Sequence, residues 1–212
     1  MVLSACQQSH FLIGDNCNTN CATADLLGVP LLGCRSYRLN LAVEAYIDKY
    51  LETEVDLVSN LMSKLSTLKE AGQLRLATSL RPVKRNKTRW LGVIKILSRY
   101  ERLRQNIDDT NPELAELLPT AAQRNVIRLH SSAITDFKSV TESLQREDAT
   151  IGESQILFAS LIDTYAHFDF NSYISTEASI VHSRAFEDAI ILIQSGSEHE
   201  MLSCEEVAVL CL

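Results

Sequence analysis

Glycine and proline are scarce in this chain: 7 and 4 among 212 residues. So few breaks favour long helices. No apolar run approaches the roughly 18 residues that a membrane helix needs, so no span and no membrane partner are expected. The opening Met1-Val2-Leu3-Ser4-Ala5-Cys6 has neither a basic start nor a long apolar stretch, which argues against a secretory signal. An intracellular, soluble protein is the expectation. There is no internal repeat, low-complexity run or interdomain linker. A Gly-rich phosphate loop, a His-Glu-x-x-His motif and a nucleophile elbow are also missing. Ser, Cys and His do not fall in spacings that suggest a catalytic triad.

What is present suits a packed protein. Hydrophobic residues make up 46% and charged residues 22%, enough to bury a core and too apolar for a disordered chain. The length fits one domain, or a core with an attached helical lobe. Six cysteines occur, Cys6, Cys17, Cys21, Cys34, Cys204 and Cys211. Inside a cell they are expected to be reduced. Cys17, Cys21 and Cys34 raise the question of zinc. No His lies between Cys34 and His130, however, and no second Cys pair sits at finger spacing, so packed thiols are the better reading.

The net charge of −7 argues against whole-surface attraction to nucleic acid. Its distribution is uneven. Half of the 20 Lys and Arg lie within residues 75–104, with Glu101 as the only acid there. A solvated helix face and a polyanion site both fit that run.

The local pattern begins with two short apolar runs, at residues 10–13 and 29–33, each bounded by glycine. They read as buried strands, with a short helix over 22–27 between them. That order implies a parallel pair with a crossover, whose strand ends are where functional groups gather. Asp15 stands just past the first strand. From Ser36 the period becomes helical, and Val43, Tyr46, Ile47, Tyr50, Val58, Leu61 and Leu65 continue one long helix towards Gly72. A basic loop follows around Pro82. Thr88 is the expected N-cap of the next helix, and Asn111-Pro112 restarts a short one. Residues 126–144, 154–165 and 178–194 read as further helices, 171–176 as a loop. Ser203-x-x-Glu206 signals a last helix by its capping box.

The segments Gly14-Asp15-Asn16, Cys34-x-x-Tyr37-x-Leu39-Asn40-Leu41, Arg85-Asn86-Lys87-Thr88-Arg89-Trp90 and Ser179-Ile180-Val181-His182-Ser183-Arg184-Ala185-Phe186-Glu187 occur in that order. Together they resemble the middle of hAT-superfamily DNA transposases. The resemblance implies a mainly α chain with a small β part: a partial RNase H-like core of two parallel strands over residues 1–45, then a helical insertion over 46–212. It further implies metal-dependent DNA cleavage and strand transfer in the ancestral enzyme. There, Mg²⁺ ions held by three carboxylates activate the attacking oxygen and stabilise the leaving one. Asp15 matches the second carboxylate and would be a metal ligand. Tyr37 stands at the family's His position; it can donate a hydrogen bond but does not titrate near neutral pH. The strand with the first Asp is expected before this chain, and the block with the third Glu after it. One carboxylate cannot organise two metals. No activity, and no bound Mg²⁺, is therefore expected from this chain alone.

DNA is the implied partner, through Arg81, Lys84, Arg85, Lys87, Arg89 and Trp90. An indole stacked on an unpaired base contributes roughly 1–3 kcal/mol, and Arg can grip phosphate with two hydrogen bonds. Trp90 also shares a helical face with Val93, Leu97 and Tyr100, so it equally reads as a core anchor. A self-associated copy or a full-length transposase is a further expected partner, because absent neighbouring strands leave sheet edges unpaired. The resemblance places the protein in the nucleus, otherwise in the cytoplasm. The rival reading is a non-catalytic helical interaction module. Asp163, His167, Asp169 and His182 could be written as a metal site, but the flanking Phe168 and Phe170 suggest a packed corner.

Overall fold

The computed structural model describes residues 10–86 and 90–209. The chain is mainly helical with one small parallel sheet. Strand β1 (Leu12–Gly14), helix α1 (Asn18–Leu27) and strand β2 (Leu31–Gly33) follow each other, and Leu12, Ile13 and Gly14 pair with Leu31, Leu32 and Gly33. Each strand is shorter than its apolar run and ends on its glycine; α1 begins four residues ahead of the expected start, at Asn18.

Two compact units divide the chain. The described residues up to Ala42 form one with those from Val140 onward, and Val43–Ser139 form the other. The division expected at 45/46 assigns the later residues to the helical region. By compactness they belong with the strands.

In the first unit, α2 (Arg35–Tyr50) starts directly after β2. Later come α9 (Ile151–Thr164), the short α10 (Asn171–Ile174), α11 (Arg184–Ser195) and α12 (Ser203–Ala208). Phe158, Phe170, Ile174, Phe186 and Leu31 fill its core. The two sheet edges differ. On β2, the outward N–H groups of Leu31 and Gly33 donate to Ser183 Oγ (2.9 Å) and Glu187 Oε1 (3.2 Å). No described strand covers the other edge of β1. Parallel strands are ordinarily buried on both faces, and Ile13, 73% exposed, shows that one face of β1 is the exception.

The second unit is all helical: α3 (Glu52–Leu65), α4 (Leu68–Ala77), α5 (Leu91–Leu103), the short α6 (Pro112–Ala115) and α7 (Ala121–Leu129), with most of α8 (Ser131–Leu144). Val55, Val58, Leu61, Met62 and Leu65 form the three-and-four stripe by which α3 packs on α5. Phe137 is fully buried and meets Tyr46 and Trp90 edge-on, at 5.0 and 6.5 Å between ring centroids.

Four expected elements need correction, the first being the loop expected over 171–176, whose first four residues form α10. The single helix towards Gly72 is three helices, broken at Leu51 and at Ser66-Thr67. Leu51 leaves helical geometry, and the Ser66 hydroxyl donates to the Met62 carbonyl, closing the turn locally. Gly72 lies inside α4. Residues 126–144 split at His130, and α11 starts at Arg184 rather than at 178. Thr88 lies outside the described residues.

Candidate functional site

Asp15 is exposed, one residue past the carboxyl end of β1. The end of β2 lies beside it, and Cys34, the residue between β2 and α2, brings its thiol within hydrogen-bonding reach of the Asp15 carboxylate. Burial pushes the Cys34 thiol up, and the Asp15 charge and hydrogen bond push it further. The backbone N–H groups of Tyr37 and Ser36, aimed at the sulfur from the first turn of α2, oppose that rise. The thiol is thus protonated at neutral pH. Tyr37 is half-buried on that first turn.

Asn16 turns inward behind this pair. Its amide donates to the Ile180 carbonyl (2.9 Å), while its Oδ1 is buried with no hydrogen-bond partner. The amide lies flat on Gly33: a Cβ there would come within 2.6 Å of Asn16 Cγ. Glycine at 33 therefore serves close approach.

Below the strand ends sits a charge cluster whose pairing no local sequence pattern reveals. Arg38 is fully buried, Glu187 1% exposed and Arg35 8% exposed. Glu187 Oε2 lies 3.3 Å from both guanidinium groups, and Arg38 also donates to the carbonyls of Tyr173 and Ser175. The Phe158 ring covers both cations at 5.8 and 5.9 Å. Burial lowers Arg38 to about 10, helped by Arg35 and opposed by Glu187. Burial lowers Arg35 as well, against Glu187 and Asp188. Both remain cationic at neutral pH: Glu187 is the carboxylate that contacts both charges, Asp188 also acts on Arg35, and carbonyls and a ring face supply the rest.

The donors at the strand ends do not fit Mg²⁺. That ion takes hard oxygen ligands in octahedral geometry. Here one carboxylate faces a protonated thiol, and the nearby Glu187 is spent on arginines. Among the described residues no three His, Cys, Asp or Glu cluster at metal-binding distance, the Cys17, Cys21 and Cys34 set included. His182 instead pairs with Asp25 (Nε2 to Oδ1, 3.1 Å) and with Ser183 (Nδ1 to Oγ, 2.9 Å). Asp163, His167 and Asp169 are all exposed, and Asp169 accepts from Ser172.

The basic segment belongs to the other unit. Arg81 and Lys84 are exposed. Arg85 is half-buried, 3.7 Å from Asp56, with Nε buried and unpartnered; it ties the loop down. Arg99 holds the same loop by donating to the Arg81 carbonyl (2.6 Å). Gly92 lets the loop pass, since a Cβ there would meet the Asn86 carbonyl at 2.6 Å. Lys87 and Arg89 lie outside the described residues. Trp90 is 3% exposed against Phe137, which is the anchoring role its helical face suggests; a base could stack on it only after the indole left that packing.

The Asp15–Cys34 contact predicts a measurable reactivity. Asp15→Asn removes the charge that disfavours the thiolate. Alkylation of Cys34 at neutral pH should then accelerate several-fold, while exposed Cys204 keeps its rate. Peptide mass spectrometry after timed iodoacetamide treatment reads both. Unchanged Cys34 kinetics would show that the carboxylate does not govern the thiol.

No family model matches the chain, and no curated protein or solved structure is found similar to it.

Proposed function

We propose that the chain is a fragment of an hAT-like transposase core that contacts DNA and performs no strand chemistry alone. The observation that carries this reading is the placement of Asp15, exposed at the carboxyl end of a parallel strand in a strand–helix–strand unit. That is where the resemblance puts the second catalytic carboxylate. A lone carboxylate beside a protonated thiol cannot assemble a two-metal site, so the retained capacity is binding. Within the predicted DNA-binding set, Arg81 and Lys84 are the described cations that are exposed and available for phosphate.

The test is titration of the purified chain with a DNA hairpin across a salt series. Binding should be saturable at low salt and fade steeply as salt rises. Arg81→Ala with Lys84→Ala should flatten the salt slope by about 1 for each phosphate that is no longer neutralised. Absence of binding at low salt, or binding indifferent to salt, would remove the DNA reading. The second reading, a helical interaction module, is favoured by the burial of Trp90 among core side chains.

A further inference from the structure

The all-helical unit carries a trough between α5, α7 and the start of α8. One end is a recess of about 370 Å³ bordered by Arg104, Arg124, Arg128, Asn125 and Glu101. The other is a recess of about 330 Å³ floored by Ile94, Leu97, Ile127 and Ile134. Both recesses are lined by Glu101, Ile127 and Ser131, so they form one continuous depression.

Its charge is not explained by the fold. Arg102, Arg104, Arg124 and Arg128 line it against the single carboxylate of Glu101, which lies 3.4 Å from Arg104. Arg124 donates to the Pro119 carbonyl (2.6 Å) and Arg128 to Asn125 Oδ1 (3.2 Å), both neutral acceptors. Arg124 and Arg128 stand one turn apart on α7, where like charges repel. An unbalanced cationic end joined to an apolar floor matches one kind of surface, an amphipathic anion.

We propose that this trough is a docking groove for an acidic amphipathic helix of a partner protein. Apolar side chains at three- and four-residue steps would seat over Ile94, Leu97 and Ile134, and carboxylates on the flank would meet Arg104, Arg124 and Arg128. Charge complementarity selects this occupant. A nucleic-acid backbone would satisfy the arginines but leave the apolar half against water. The groove is distinct from the Arg81–Lys84 loop and does not depend on the DNA reading.

The probe is a fluorescent synthetic helix with Leu at alternating three- and four-residue steps and Glu on the positions that flank the Leu stripe. Its anisotropy is followed on titration with the full chain. Saturable binding is expected. Arg128→Glu, at an exposed position, and Ser98→Trp, which fills the apolar half from an exposed position, should each weaken binding by about tenfold or more with unchanged circular dichroism. A peptide with Ser in place of Leu should lose as much. The proposal is overturned by no binding to the unaltered chain, by equal binding of the Ser peptide, or by insensitivity to both variants. Displacement of the peptide by duplex DNA would reassign the trough to nucleic acid. A self-associated chain whose contact is broken by Arg128→Glu would reassign it to a second copy.

Discussion

Glu187→Ala is expected to destabilise the strand-bearing unit by about 3–5 kcal/mol, a large fraction of what holds a domain of this size together. The substitution removes the one carboxylate that contacts both buried guanidinium groups, leaves only the Asp188 charge acting on Arg35, and orphans the Gly33 N–H. Most of the loss is the cost of the uncompensated cations, not the attraction of the pair. The double replacement Glu187→Leu with Arg38→Met should therefore recover part of it, since an apolar pair of similar volume avoids the desolvation cost. Glu187→Gln should fall between, keeping the Gly33 contact without the charge. Urea unfolding followed by far-ultraviolet circular dichroism measures all three. An unchanged midpoint for Glu187→Ala would mean that the arginines reach water and the cluster is not a buried one.

The second large effect belongs to the helical unit. Phe137→Ala should cost about 3–5 kcal/mol, the range for removing a fully buried aromatic side chain. The ring is 0% exposed and is the shared neighbour of Tyr46 and Trp90. Trp90 is the only tryptophan, so its emission reports this site without ambiguity. The unaltered chain should emit at short wavelength. In Phe137→Ala the emission should move to the red and the urea midpoint should fall. If Trp90 already emits as an exposed indole in the unaltered chain, it is not a core anchor and base stacking returns as its role.

The parts of the fold that the sequence discloses are those with local causes. The two glycine-bounded apolar runs become β1 and β2, and Asn111, the predicted start of a short helix, accepts from the Glu113 N–H as its cap. Two capping boxes, Thr120 with Gln123 and Thr150 with Glu153, were equally open to reading as Thr-x-x-Gln and Thr-x-x-Glu, and they fix α7 and α9. At the last helix only half a box forms, one residue earlier than expected: Glu205 accepts from the Leu202 N–H, and Leu202 has no side-chain oxygen to complete it. The breaks at Leu51 and Ser66 are hidden because the apolar period runs on across both. The candidate site shows the same division. Asp15 at a strand end is legible, but its neighbour Cys34 depends on the register of the sheet. The pairing of Arg35 and Arg38 with Glu187 leaves no local trace, because no periodicity links residues so far apart. The Asp25–His182 contact is hidden for the same reason, and it takes His182 away from the metal site that composition suggests.

The bonds that finish β2 have a consequence for how the chain is made. Leu31 and Gly33 take their partners from residues 152 and 154 positions later, and Asn16 from 164 positions later. Such contacts give the strand-bearing unit a high contact order, and high contact order slows folding. Loop closure itself adds only about 0.6 kcal/mol per doubling of length, so the burden is one of time more than of stability. On the ribosome, at about 5–20 residues per second, roughly 8–30 s pass between synthesis of β2 and synthesis of Ser183 and Glu187. Throughout that interval neither edge of the nascent sheet is protected. The insertion of a whole helical unit into the middle of this one turns its assembly into a delayed reaction, in which chaperone capture and strand-to-strand misassembly compete with completion.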